Sequence, residues 1–485
     1  MSNLSELLPT GGGQNAVDFV ASGTLSSGQT VVLNSDGTVE AVAETSIPQV
    51  VGSPRVFRSA RTENISAAFD PSSNKVVIAY RSVPNSNYGF AIVGTVSGTS
   101  ISFGSPVVFY SGTAQNMSAI FDSSANKVVI AFSDGSSSDH GTAIVGTVSG
   151  TSISFGTKVV FESASTAYIS ATFDSNSNKV VIAYADNGNS VRGTAVVGTV
   201  SGTSISFGGA VVFGSAATPF ISATYDSNSN KVVIAYRDNN NASYGTAVVG
   251  TVSGTTISYG TPVVFHSTYS NYNTATFDSN SNKIVIAFAG YNGSNYECNA
   301  IVGTVSGTSI SFGTKAQFDS NDNPQYISAT FDSNANKVVI AYRDTFGYGS
   351  LAVGDVSGTS ISFDSPVTFE SASSENTAAV FDSNLNKVVI AYRDMGNSQY
   401  GTSVVFQNAY TSTNSADFIG ITAEAISDTA TGPVNVYGGI NEAQTGLTIG
   451  ADYYVQDDGS LSTTASSVKV GQAISATTIN MMDLT

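Results

Sequence analysis

Four arginines stand at one recurring place in this sequence. Arg81, Arg237, Arg343 and Arg393 each follow an Ile-Ala-Tyr segment, and three of them precede an aspartate, Asp238, Asp344 and Asp394. A guanidinium is a planar fork of donors that holds a carboxylate through two parallel bonds, so converging arginines would hold a carboxylate or a sugar acid. The simpler expectation is a local Arg–Asp pair that orders a loop. Aromatic residues share the same segments: Tyr168, Phe220, Tyr272 and Tyr326, with Tyr88, Tyr244, Tyr269, Tyr291, Tyr296, Phe346, Tyr348 and Tyr400. Rigid, amphipathic rings of this kind stack on sugars and on protein surfaces, while some of them cap the edges of a fold.

Recognition is what these residue types support; catalysis finds little. The two histidines, His140 and His266, lie in different repeats with no nucleophile motif beside them. No His/Cys cluster has the spacing of a metal site, and no Gly-rich phosphate loop opens a helix. Asp and Glu are scattered over the varied segments, and a glycan-degrading enzyme, a third alternative, would need carboxylates converging at a central opening. The expectation is a protein that is not an enzyme, with no catalytic residues, no cofactor and no metal centre. Asp174-x-Asn176-x-Asn178 begins like a calcium loop but lacks the glycine and the distal glutamate such loops need. It reads as an Asn-rich hairpin turn.

What positions the arginines and aromatics is a repeat. Phe173-Asp-Ser-Asn-Ser-Asn-Lys-Val-Val-Ile-Ala-Tyr184 returns with aspartates at 70, 122, 174, 226, 278, 332 and 382, a mean period of 52 residues. Such a period marks a solenoid, a propeller or an array. Gly-Thr-Val-Ser-Gly-Thr-Ser-Ile-Ser-Phe keeps time with it from Gly94 onward. One unit parses as four β runs: Ile169–Phe173, Lys179–Tyr184, Gly193–Val200, and Thr203–Phe207 continuing to Val211–Phe213. They are β-branched and aromatic, and Gly, Asn, Asp and Ser bound them. The run Val-Val-Ile-Ala-Tyr has no polar face, so it predicts a strand buried on both sides, as in a sheet squeezed between two others.

The fourth run is missing after the last repeat. Gly52-Ser-Pro-Arg-Val-Phe57, near the other end of the chain, matches Gly104-Ser-Pro-Val-Val-Phe109 and supplies it. The fold expected is therefore all-β: a seven-bladed β-propeller of four-stranded blades over residues 46–408, closed by an N-terminal strand. An open β-solenoid is the alternative. In this arrangement the Asp-Ser-Asn-Ser-Asn and Val-Ser-Gly-Thr turns share one face and hardly vary. The second-to-third and fourth-to-first connections share the other face and vary widely, as Arg81–Gly89 against Ala289–Glu297 shows. Varied loops on a rigid scaffold carry recognition, so Arg81, Tyr168, Phe220, Arg237, Tyr272, Tyr326, Arg343 and Arg393 are the candidate binding residues.

Composition sets limits. Charged residues are 11% of the chain, where about 25% is usual. A net charge of −17 argues against nucleic-acid binding. No apolar run is long enough to insert in a membrane, and the N-terminus lacks the pattern of a secretion leader. Cys298 is the single cysteine and has no partner for an internal disulfide, so packing must supply stability, and synthesis in a host cytoplasm is expected.

The ends resemble each other. Residues 22–39 and 445–461 both read as hairpins with an Asp-Gly turn, Asp36-Gly37 and Asp458-Gly459. One small β-domain made of residues 1–45 and 409–485, with the propeller inserted between its halves, accounts for this. Asn3-Leu-Ser-Glu-Leu-Leu-Pro-Thr-Gly-Gly-Gly-Gln-Asn-Ala-Val-Asp-Phe19, with the hairpin at 26–39, resembles the opening of tail-fibre-type and other virion structural proteins of marine tailed bacteriophages. Phe418-Ile-Gly-Ile-Thr-Ala-Glu-Ala-Ile-Ser-Asp-Thr-Ala-Thr-Gly-Pro-Val-Asn-Val-Tyr-Gly-Gly439 and Tyr453–Thr463 resemble their closing module. The resemblance implies a protein at the virion surface, anchored to other virion proteins by its terminal domain and open to homo-oligomerisation. It would be either a tail-fibre, receptor-binding appendage that meets a host-surface glycan or protein, or a capsid or tail decoration protein with the propeller as spacer. Neither nucleic acid nor membrane insertion is expected.

Overall fold

The computed structural model describes residues 15–482. Residues 3–14, which open the terminal resemblance, lie outside them. The chain divides into two compact units, residues 49–408 and the terminal segments up to residue 48 and from residue 409, so residues 46–48 go with the ends. Among the described residues the structure is all-β, interrupted only by single 3-10 turns such as Val83–Asn85.

Within residues 49–408 every copy of the repeat folds alike. In the third copy the inner strand, residues 166–174, pairs with Lys179–Asp186, which pairs with Arg192–Ser201. Two short strands then lie end to end along the latter: Ser204–Phe207 against residues 198–201, and Val211–Ala217 against residues 192–195. The second strand is buried on both sides, and alternation explains how. Val180, Ile182 and Tyr184 pack with Val129, Ala131 and Val145 of the preceding sheet. Val181, Ala183 and Ala185 pack with Val232, Ile234 and Tyr236 of the following one. Each Val, Ile or Tyr so enclosed contributes about 1.5–3 kcal/mol, and the same run does this in every repeat.

One sequence expectation needs correcting. Five of the seven fourth-to-first connections are not loops; those at 218–221 and 320–324 leave the strand. In most repeats the chain runs on from the outer edge of one sheet to the inner edge of the next as a single 16-residue strand, as in Val107–Asp122 and Val159–Asp174. In these five the crossing carries β-branched and small residues and stays extended, so no free loop forms there. Variation on this face is therefore variation in strand side chains as much as in loops.

The last third-type strand, Tyr400–Gln407, pairs with the beginning of the chain: Phe406 with Val51, Thr402 with Val56 and Gly401 with Arg58. Its register is set by packing. A Cβ at Gly401 would stand 2.4 Å from the Phe57 ring, and one at Gly141 would stand 2.4 Å from the Phe161 ring, so only glycine admits the ring at either place. Phe57 thus repeats what Phe161 does in the second repeat. Neighbouring inner strands are joined by serine: Ala119 N donates to Ser66 Oγ at 2.9 Å, Ala171 N to Ser118 Oγ at 2.9 Å, and Ala379 N to Ser328 Oγ at 3.0 Å. In the last repeat this serine position is Ala378.

The terminal unit has two five-stranded sheets. One runs Ala16–Val20, Thr431–Val436, Phe418–Thr422, Thr30–Leu33, Val39–Ala41, so strands from both ends of the sequence interleave. The other is built from residues after 439. The two expected hairpins have the same turn: Thr38 N donates to Asp36 Oδ1 at 3.0 Å, and Ser460 N to Asp458 Oδ1 at 2.8 Å. These bonds lower the pKa of both exposed aspartates.

Candidate binding site

Six of the seven inner strands are kinked near their start, and in the fourth repeat the equivalent residue, Phe220, stands just before the strand Ser222–Asp226. The ladder slips between Glu63 and Ser66, Ala167 and Ser170, Asn271 and Thr274, and at the matching places in other repeats. The residue inside the kink takes a left-handed backbone, with φ between 47° and 56°: Asn64, Asn116, Tyr168, Phe220, Tyr272, Tyr326 and Asn376. Asparagine tolerates this conformation because its short polar side chain bonds locally. An aromatic residue gains no such bond, and the conformation costs it about 1–2 kcal/mol.

The kinked residues meet in repeat order and form two arcs. Asn64 N donates to Asn376 Oδ1 at 3.1 Å, and Asn116 N to Asn64 Oδ1 at 3.0 Å. The aromatic residues continue from the other side. Ring centroids lie 5.4 Å apart for Tyr168 and Phe220, 5.3 Å for Phe220 and Tyr272, and 5.8 Å for Tyr272 and Tyr326, all tilted by 52–53°. Tyr168 is 39% exposed; the other three are half-buried.

The arginines end the second strands, directly beside these kinks. Arg81 and Arg393 come together on the asparagine side, Arg343 joins them from the repeat of Tyr326, and two glutamates that the sequence did not single out lie between them. Arg81 bonds Glu63, and Arg393 bonds both Glu375 and Glu63, the latter at 3.0 Å. Arg343 reaches Glu375 at 3.4 Å, and Arg61 reaches Glu63 at 2.5 Å. The result is an alternating ladder, Arg343–Glu375–Arg393–Glu63–Arg81, that crosses from the last repeat to the first. The expected local Arg–Asp pairs are absent from it. Successive side chains in a strand point to opposite faces, so Asp344 and Asp394 turn away and accept backbone amides of their own turns, from Phe346 and Tyr348 and from Asn397. Burial pulls the pKa of Arg81 and Arg393 down, and Arg61 adds repulsion to both.

Arg237 is elsewhere, among the aromatic rings. Its guanidinium lies 5.0 Å from the Phe220 ring centroid. It donates from Nη1 to Asn271 Oδ1 at 2.5 Å and from Nε to Asn239 Oδ1 at 2.9 Å. Asp238, expected as its partner, accepts from Asn240 N.

All eight sequence candidates therefore lie at the kinked ends of inner strands or beside them, split between the two arcs. Other aromatic candidates pack on one another: Tyr291 on Tyr296 at 5.2 Å and on Tyr269 at 6.1 Å, and Phe346, 68% exposed, sits 6.2 Å from Tyr348. His266 is buried against Phe288, and burial lowers its pKa. The Asp174 turn is closed by its own amides, with Asp174 Oδ1 accepting from Asn176 N and Ser177 N. Among the described residues no three His, Cys, Asp or Glu side chains are grouped to hold a metal ion. Glu63 and Glu375 had a signal: each falls seven residues before a turn aspartate, as Gln325 does, and the ladder places all three opposite an arginine. The intervening kink hid that register.

No protein-family model matches the chain, and no curated protein matches it. Among solved structures it is similar to the BP39L lectin from Burkholderia pseudomallei, with a TM-score of 0.55, 10% identity, and coverage of 73% of this chain and 98% of the lectin. It also matches a chain of the mitotic checkpoint complex (TM-score 0.47, 8% identity, 76% and 96% covered) and AofleA from Arthrobotrys oligospora (TM-score 0.41, 10% identity, 69% and 94% covered). The likeness to the lectin is one of fold, β-propeller-like and all-β.

Proposed function

We propose that residues 49–408 form a closed, seven-bladed propeller that recognises a host-surface glycan through the aromatic arc, without catalysis and without a cofactor. Closure is supported by the strand from the chain's start on the last repeat and by the Arg393–Glu63 and Asn376–Asn64 bonds between the last and first inner strands. The observation that carries recognition is the aromatic arc itself. Four neighbouring repeats keep a ring at a backbone position that disfavours it, where their siblings carry asparagine. Local strain of this kind concentrates at binding sites.

The terminal unit, interleaved from both ends of the sequence, is then the anchor. Its resemblance to virion modules of tailed bacteriophages supports a tail-fibre, receptor-binding appendage on the virion surface. The test is adsorption of the full chain to host cells and to a glycan array, beside a variant with Tyr168→Ala and Tyr272→Ala. Binding that the variant loses supports the reading. Binding that the variant keeps moves the site off the arc. No binding by either favours the second reading, a decoration protein with the propeller as spacer; the ion-paired contacts of the asparagine side suit a purely structural ring.

A further inference from the structure

The four arginines that end the second strands form an internal comparison. They hold the same position in their repeats, and each is at least partly withdrawn from water. Three of them touch a carboxylate. Arg237 forms no ion pair among the described residues. Its Nη1 and Nε bond two neutral amide oxygens, and its Nη2 makes no hydrogen bond there. Burial pulls its pKa down, while the nearby Tyr168, Tyr296 and Tyr269 hydroxyls oppose this. A guanidinium remains charged throughout the working pH range, so its desolvation is left uncompensated by any anion of the chain. Arginine at this position is not obligatory, because the third and fifth repeats place Ala185 and Ala289 there.

We infer that Arg237 and the rings beside it form a site for an acidic pyranose, a sugar that carries a carboxylate such as a uronate or a sialate. This deepens the glycan reading and rests on it. The geometry divides the ligand in two. Arg237 lies on Phe220, and Phe220 is flanked at 5.4 Å and 5.3 Å by Tyr168 and Tyr272. A carboxylate on the open edge of the guanidinium therefore brings the attached ring against one of the two tyrosines. A pyranose has an apolar C–H face for the aromatic ring and a rim of hydroxyls for the phenols. Asn239 and Asn271 fix the plane of the guanidinium beforehand, so little side-chain freedom is lost when the anion arrives.

The full chain is tested on oligosaccharides ending in glucuronate, galacturonate or sialate, each printed beside its methyl ester. Arg237→Gln is tested in parallel, with a thermal melt of each protein. At least one acid should bind about tenfold or more tighter than its ester, the loss expected when a charged hydrogen bond is removed. Arg237→Gln should bind the acid only as well as the native chain binds the ester, with an unchanged melt. Arg237→Lys keeps the charge without the fork, should fall between the two, and replaces the Gln variant if that one unfolds. Equal binding of acid and ester by the native chain overturns this inference and leaves the glycan reading standing. Acid-selective binding that Arg237→Gln retains overturns the assignment to Arg237. Binding to no saccharide overturns the inference and the glycan reading together.

Discussion

The two arcs use one backbone position for opposite ends. On the seam side, where the last repeat meets the first, the kinked residues are Asn376, Asn64 and Asn116, a type suited to the left-handed conformation; the first two accept from the next repeat's kinked residue, and Asn116 donates to Ser133. The arginines beside them are bridged by Glu63 and Glu375. On the other side the kinks hold Tyr168, Phe220, Tyr272 and Tyr326, a type the conformation disfavours, and Arg237 has only amides and an aromatic ring for company. On the seam side each ladder arginine has a carboxylate of the chain, although Arg81 Nε and Arg393 Nε are buried without a hydrogen-bond partner. On the aromatic side Arg237 has no carboxylate partner among the described residues. Repeats of one chain thus act as controls for one another: a feature that departs from its siblings and from local physics asks for an explanation outside the fold.

The largest effect should come from the seam. Glu63→Gln leaves Arg61, Arg81 and Arg393 without their shared carboxylate in a site where the Glu63 side chain is 15% exposed. Breaking a buried ion cluster from one partner costs about 3–5 kcal/mol, so denaturant or thermal unfolding of Glu63→Gln should show a loss of that size, with glycan binding by the residual folded protein retained. A next, smaller effect comes from exchanging the arcs' residues. Asn64→Tyr should lose about 2 kcal/mol, from the left-handed strain and the missing bond to Asn116 N. Tyr272→Asn relieves strain while it removes packing, so its stability should stay within about 1 kcal/mol of the native value while binding drops. If the two exchanges unfold the protein equally, the arcs are not different in kind.

The smallest effects concern the serine joints. Ser118→Ala removes the acceptor of Ala171 N and should cost about 1 kcal/mol. Ala378→Ser, at the one repeat whose joint lacks the hydroxyl, should gain up to about 1 kcal/mol in the same unfolding measurement. No gain there would mean that the asparagine and ion-pair contacts already satisfy the seam.

Much of this organisation was written in the sequence. Val180–Tyr184 announced a strand with two buried faces because no residue in it is polar, and packing on both neighbours is the physical solution. Gly52–Phe57 matched Gly104–Phe109, and that match located its pairing partner. The eight candidate residues were legible by type and period. Their division into two arcs was not, because it depends on a kink that shifts the register by a residue or more, and such a shift decides which side chains face each other. One cue was present. The kinked residue always falls six positions before the turn aspartate, and three of the seven are asparagine, the type that tolerates left-handed backbone. The Arg–Asp dipeptides misled, since adjacent residues in a strand cannot share a face.

The most direct test of the division is a pair of melting curves, for Arg237→Gln and Arg393→Gln, in the full chain without ligand. The two arginines hold equivalent positions, and the substitution is the same. Arg393→Gln removes the cation that Glu63 and Glu375 share, leaving them only Arg81 with Arg61 and Arg343, and should melt several degrees lower than the native protein. Arg237→Gln, which breaks no ion pair, should melt with the native protein. Equal losses, or a larger loss at Arg237, would make Arg237 a structural residue like its siblings and contradict the account.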